Sequence, residues 1–366
     1  MTTDEPIGEF RAERPLKQLL TDVVGSGPKS AADMTREQAR TAFVEILEGE
    51  PDPTTLGAFL LANRWKRNTP EELAAFVDVM RERSVESAAP SADPVDCGAN
   101  YDGKADTALL GVGAGLVAAA AGTPVAVHSG DHVPSQGAWA YRHVLNELGV
   151  PTDVAPATSA RMVDDAGFGF YYQPQFNPGV YGLLDRREQM GVRTFVNTVE
   201  TLSNPANAGV HLGSFYHLSF AKKITDTVAA SGRLSMDRVI MFQGMEGYDD
   251  VRPGHTTVAE WDGGELQDYE IETADYGMDF DSEDLEVADV AGDSARITEE
   301  VLAGERDDQF ADAIAINAAL RIYARGDVDT LKDGLELARR VIGDRDGAER
   351  LADLRAFEPA EPASDD

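Results

Sequence analysis

The 366-residue chain is 42% hydrophobic and carries a formal charge of −33, from 65 acidic against 32 basic side chains. It is long enough for one large domain or two modest ones with ample core. It is too apolar for a disordered chain, and without a dense basic run too acidic to hold nucleic acid. Seven of the bases are Lys and 25 are Arg, and the acids are spread along the chain. That pattern fits a cytoplasmic protein adapted to high salt better than an acidic protein with a basic partner. One cysteine, Cys97, excludes an intrachain disulfide framework and a multi-Cys zinc site, and its apolar strand-end setting reads as a buried, inert thiol. No apolar run approaches the ~18 residues of a membrane span, and "MTTDEPIGEFRAERP" lacks a secretory signal pattern.

In chain order, residues 1–14 read as an arm and 15–88 as helices only. "TREQARTAFVEILEGE" opens on Thr35 as an N-cap. "DPTTLGAFLLANRWKRN" places apolar residues at 56, 59, 60 and 61 on one helix face. "TPEELAAFVDVMRERS" combines Thr69, Pro70 and Glu72 in a capping box with proline at the favoured place. After the linker "SAAPSADPV", the strands "VDCGA" and "TPVAVHS" bracket the helix "TALLGVGAGLVAAAAG", a βαβ unit with a parallel sheet. A helix "WAYRHVLNELGV" and a strand "FGFYY" follow, and helical texture returns over 178–205. "GVHLGSFY" and "DRVIMFQG" are strands around a helix, and "TTVAEWDGGELQDYEI" is a hairpin turning at Asp262-Gly263-Gly264. Helices close the chain from about 294 to 356, and an acidic tail, expected to be disordered, occupies 357–366. The expected fold class is α/β: a small all-helical domain (15–88, completed by 178–205) beside a large α/β domain (92–177 and 206–356). The large domain should hold a mostly parallel central sheet with helices on both faces.

Four constellations carry candidate chemistry, each with a plain alternative. Gly98 and Gly103, with Asp102 between, stand at a strand-to-helix turn where backbone amides can hold a phosphate; a structural turn needs the same glycines. Asp249 and Asp250 lie in a loop after a strand, where an acidic pair suits Mg²⁺ carrying a diphosphate; in so acidic a chain a solvated pair is the plain reading. Arg186 and Arg187 offer a fork for a substrate carboxylate or an ordinary salt bridge. His128, just past a strand, could position a substrate or be structural. "GVGAG" at 111–115 lacks the dinucleotide-binding glycine order and reads as close helix packing.

Taken together, these stretches resemble the anthranilate phosphoribosyltransferase family, within the group shared with pyrimidine nucleoside phosphorylases, over roughly residues 15–355. "LEGEPDPTTLGAFLLANRWKRNTPEELAAFVDVMRE" is similar to its helical-domain signature, "DCGANYDGKADT" to its Gly-Thr-Gly-Gly-Asp-Gly turn, and "LVAAAAGTPVAVHSGD" to its Lys-His-Gly-Asn strand. "MGVRTFVNTVETLSNPAN", "GYDDVRPGHTTVAEWDGGELQDYEI" and "DAIAINAALRIYARGDVDTLKDGLELAR" complete the pattern. The resemblance implies transfer of phosphoribosyl from phosphoribosyl diphosphate, with Mg²⁺, to an amine or aromatic acceptor such as anthranilate, as in tryptophan biosynthesis, in a cleft between the two domains. It assigns Gly98, Asp102, Gly103 and Thr107 to donor diphosphate, Asp249 and Asp250 to the metal, and His128 and Arg187 to the acceptor. It also implies a homodimer through the helical domain, with apolar faces near Leu16, Leu19 and Leu20 compatible with that.

The departures are as specific. Ala99, Asn100 and Tyr101 replace the turn's Thr and two glycines, and the segment is one residue longer. Leu109, Gly111 and Val112 replace an Asn, a Ser and a Thr that grip diphosphate. Val127 and Gly130 replace a Lys and an Asn, and Glu200-Thr201 replaces a Gly-Pro. Lys104 could return one cation to the phosphate, and Glu200 could favour an amino acceptor. The alternative function is a paralogue whose degraded diphosphate loop binds another ligand or nucleic acid without transferase activity.

Overall fold

The computed structural model describes residues 15–25, 29–49, 51–98, 103–131, 138–248 and 250–357. Four helices come first: α1 (Pro15–Val24), α2 (Arg36–Glu48), α3 (Pro53–Lys66) and α4 (Pro70–Arg83). Thr35 and Thr69 cap α2 and α4 as the sequence predicts; the predicted capping box of Thr69 with Glu72 is present, and Thr35 forms a further one with Gln38. The α/β part runs β1 (Val95–Cys97), α5 (Gly111–Ala120), β2 (Val125–Ser129), α6 (Tyr141–Glu147), α7 (Pro156–Ala166) and β3 (Phe168–Tyr172). Four short helices return the chain to the helical module: α8 (Gln173–Phe176), α9 (Pro178–Tyr181), α10 (Leu184–Met190) and α11 (Val196–Val199). Then come β4 (Val210–Ser214), α12 (Leu218–Ala230), β5 (Arg238–Phe242), β6 (His255–Trp261) and β7 (Gln267–Glu272). The last helices are α13 (Val290–Leu302), α14 (Gln309–Arg325), α15 (Leu331–Asp344) and α16 (Asp346–Arg355).

The seven strands form one sheet in the order β3-β2-β1-β4-β5-β6-β7. Pairing is parallel from β3 through β5 and antiparallel for the β6–β7 hairpin. The strand order changes direction between β1 and β4, the switch point at which open α/β sheets place ligands beyond the strand ends.

Because strand side chains alternate, each strand feeds two cores. Val95, Cys97, Val125, Val127, Ile240 and Phe242 pack on one face with α5 and the C-terminal helices. Val239, Met241 and Ala259 face the other way, into a core shared with α1–α4. Phe195, Val196, Val199 and Leu202 join that second core, so residues 195–202 pack with the N-terminal helices. The glycines of "GVGAG" serve packing: a Cβ at Gly115 would fall 2.6 Å from the Phe168 ring. Leu16 and Leu19 do not form an outer face. Both are buried in the helical core, and the exposed apolar surface is Val24, Leu61 and Trp65 instead. Among the described residues no helix is long and apolar enough to cross a membrane.

Candidate functional site

The loops at the C-terminal ends of β1, β2, β4 and β5 gather most of the residues singled out in the sequence. Asp102 and Asp249, with the replaced Ala99, Asn100 and Tyr101, lie outside the described residues. Gly98 is required by packing: a Cβ there would fall 2.1 Å from the Thr201 carbonyl oxygen. Gly103 turns the chain at φ +68°, the left-handed region glycine favours.

Lys104 does not reach outward to a phosphate. It is fully buried, its ammonium pairs with the Asp250 carboxylate, and it donates to the Ala108 carbonyl at 3.0 Å. Asp250 is 2% exposed, so the pair is desolvated on both sides. The one acid of the expected metal pair that can be described therefore holds an ammonium of its own chain.

Thr107 stands at the expected turn, but its donors are engaged. Its amide donates to Glu246 Oε1 at 3.0 Å, its hydroxyl donates to the same oxygen, and the Ala105 amide donates to Oε2 at 3.0 Å. Burial alone would raise the Glu246 pKa; the Thr107 hydroxyl, the two amides and the Lys104 charge hold it below the ordinary carboxylate range. Glu246 sits at φ 52°, an uncommon backbone for a residue with a side chain. The next two amides are also used, Ala108 by the Leu285 carbonyl at 3.0 Å and Leu109 by the Ser294 hydroxyl at 2.8 Å.

The substitutions at the start of α5 are matched by filling groups. Leu109 and Val112 are buried in the apolar core. At Gly111 an added Cβ would lie 1.6 Å from the Tyr141 hydroxyl oxygen, so this hydroxyl occupies the side-chain space. At Gly130 an added Cβ would lie 2.9 Å from Gln173 Oε1.

Arg187, expected to meet an acceptor carboxylate, already holds one. Its Nη1 and Nη2 donate to the two Glu200 oxygens at 2.9 and 2.5 Å, a bidentate fork with both residues buried. Gln173 Nε2 adds a donor to Glu200 at 3.1 Å. Glu200 is therefore not an open carboxylate awaiting an amine, and the sequence reading of it is corrected. Thirteen residues separate the partners, a distance at which sequence alone does not pair charges.

His128 lies inside the sheet. Asp96 on β1 is in register with His211 on β4 and with Ala126 on β2, so His128, two residues on, shares their face. His211 Nδ1 is 2.7 Å and His128 Nε2 3.2 Å from the Asp96 carboxylate, and the Phe176 ring covers His128 edge-on. Burial would raise the Asp96 pKa, but the His128 and His211 contacts outweigh it and hold the carboxyl far below its usual range. A depressed folded-state pKa stabilises above the unfolded value, about 3.9 for Asp, and the contribution is lost as pH falls below it. Wild type should lose urea resistance below about pH 4, and Asp96→Asn should be weaker at pH 7 with a flatter acid limb. An unchanged acid limb would mean that this cluster does not govern acid stability.

The sequence and fold match known proteins throughout. Residues 98–348 match the model of the glycosyl transferase family a/b domain, and residues 20–84 that of its helical bundle domain. The chain is 34% identical to anthranilate phosphoribosyltransferase of Natronomonas pharaonis over 338 residues, 89% of this chain and 96% of the relative. It is 30% identical to that of Persephonella marina, covering 89% and 95% of the two chains. The crystal structure of anthranilate phosphoribosyltransferase (TrpD) from Thermus thermophilus aligns with TM-score 0.80 at 26% identity, covering 94% of this chain and 98% of that one. The Saccharomyces cerevisiae enzyme in complex with PRPP and Mg aligns with TM-score 0.78 at 21% identity, covering 93% and 97%. With both domains matched in order, this chain belongs to the glycosyl transferase family that contains the anthranilate phosphoribosyltransferases.

Proposed function

We propose that this protein is a pentosyltransferase of the anthranilate phosphoribosyltransferase type, acting on a phosphoribosyl diphosphate donor at the C-terminal edge of β1, β4 and β5. The observation that carries the reading is the three-donor cradle formed by the Ala105 amide and the Thr107 amide and hydroxyl, which holds an anion in the family's diphosphate segment. The Glu246 carboxylate stands in for a phosphate oxygen of the donor. Preorganised donors of this kind stabilise charge developing on a leaving group while C1 of the sugar is attacked. A donor must displace Glu246 to reach them, so the chain competes with its own substrate.

Magnesium is carried by the yeast relative. Here the donor set around Asp250 does not fit an open Mg²⁺ site, because the Lys104 ammonium already supplies the positive charge. No step is therefore assigned to a metal.

Calorimetric titration with phosphoribosyl diphosphate tests the reading. Wild type should bind weakly and Glu246→Gln at least about tenfold more tightly, since one half-buried charge no longer competes. No binding by either protein at millimolar donor would sink it. One observation favours a second reading, a paralogue that binds another ligand without transfer: the side-chain space at Gly111 is filled by the Tyr141 hydroxyl.

The apolar surface of Val24, Leu61 and Trp65, with Trp65 73% exposed, supports a homodimer through the helical module. Sedimentation of Trp65→Glu should then give monomer where wild type gives dimer; monomeric wild type would refute it. The dispersed acid surplus supports a high-salt habit.

A further inference from the structure

Beside the loops described above lies a cavity of about 470 Å³, between the end of α3, residues 193–198 and the end of β4. None of its lining residues is acidic, in a chain with 65 acids. Arg64, Arg67, Arg193 and Lys223 all line it. Lys223 donates to the Asn68 carbonyl at 2.8 Å, and the Arg67 guanidinium has no carboxylate partner among the described residues. Burial, then the nearby charges of Arg67 and Lys66, lower the Lys223 pKa. Arg67 itself is held at φ 66°, where a side-chain-bearing residue is uncommon.

An independent observation comes from Asn197, which lines the same cavity and is 4% exposed. Its Oδ1 accepts from the Thr194 amide at 2.9 Å, which fixes the orientation of the amide group. The remaining donor, Nδ2, is buried with no partner among the described residues. A buried donor without an acceptor is costly, so an acceptor is expected there.

We propose that this cavity binds a small organic phosphate, its phosphoryl oxygens taken by Arg67, Arg193, Lys223 and Asn197 Nδ2 and its organic body lying against Phe195 and Phe220. Several cations with no acid among them match a dianion better than a monocarboxylate. A lining that mixes rings with a few convergent polar groups suits a small ligand. The site is distinct from the Thr107–Glu246 cradle and needs no metal, having no carboxylate to hold one.

The test is calorimetric titration of the full chain with phenyl phosphate in EDTA, beside benzoate as the carboxylate of the same body. Saturable phenyl phosphate binding is expected, with benzoate at least about tenfold weaker. The Arg67→Gln/Lys223→Met variant should lose about tenfold or more, and Arg67→Gln alone, at an exposed position, should lose part of it. The loss caused by Arg67→Gln/Lys223→Met should persist in a Glu246→Gln background, which separates this site from the donor cradle. Absence of saturable binding up to about 10 mM, equal binding of benzoate, or binding indifferent to both cation variants would overturn the proposal.

Discussion

Lys104→Met should cost the folded state about 3–5 kcal/mol. The reason is the position of its partner. Asp250 is 2% exposed and its carboxylate pairs with the Lys104 ammonium, so removing the ammonium leaves a charge with no access to water. The lost donation to the Ala108 carbonyl adds to the penalty. Guanidinium denaturation at pH 7 measures it. Lys104→Met/Asp250→Leu should recover most of the loss, because replacing a buried pair with apolar groups is often neutral. Lys222→Met, which breaks only the exposed pair with Asp226, should leave stability nearly unchanged. A loss below about 1 kcal/mol for Lys104→Met would mean that Asp250 is compensated by other groups and that the pair is incidental.

The fold was legible because its signals are local. Capping boxes at Thr35 and Thr69, the strand–helix–strand around "GVGAG" and the hairpin at Asp262-Gly263-Gly264 each depend on residues a few positions apart. Helix α7 was missed: its N-cap is Ala155, which offers no side-chain oxygen, and only Pro156 marks its start. The site was legible as a set of positions and not as a set of partners. Lys104 and Asp250 are 146 residues apart, and Thr107 and Glu246 are 139 apart, so no spacing rule joins them. Glu246 had one signal, an acid three residues before the Asp249-Asp250 pair, but in a chain with 65 acids that signal is buried in background. The substitutions themselves were visible. What they do was not, because the groups that answer them, Tyr141 at Gly111 and Gln173 at Gly130, come from other elements.

The same compensation recurs at three places, which makes it a property of the site. Where the resemblance implies a phosphate, the chain supplies Glu246; where it implies a metal ion, Lys104; where it implies an acceptor carboxylate, Glu200. Each replacement supplies from within the chain the charge that the implied ligand would bring. An uncompensated Arg187 or Asp250 in these buried positions would be costly, so the internal partners stabilise the fold as they restrict access.

Glu200→Gly should convert Arg187 from a structural cation into a carboxylate receptor. The variant should lose about 3–5 kcal/mol of stability, since Arg187 is 2% exposed and its bidentate partner is gone. Added anthranilate should restore part of that loss in a concentration-dependent way, because a ligand that binds only the folded state stabilises it by mass action. Thermal unfolding against anthranilate concentration reads both effects at once. Glu200→Gln provides the control: its amide still fills the space, so it should be destabilised without being rescued. Wild type should show no shift, because the Glu200 carboxylate already satisfies both Arg187 nitrogens that a carboxylate would use. If anthranilate stabilised wild type as much as Glu200→Gly, Glu200 would not be what guards Arg187, and the acceptor would have to bind elsewhere in the cleft.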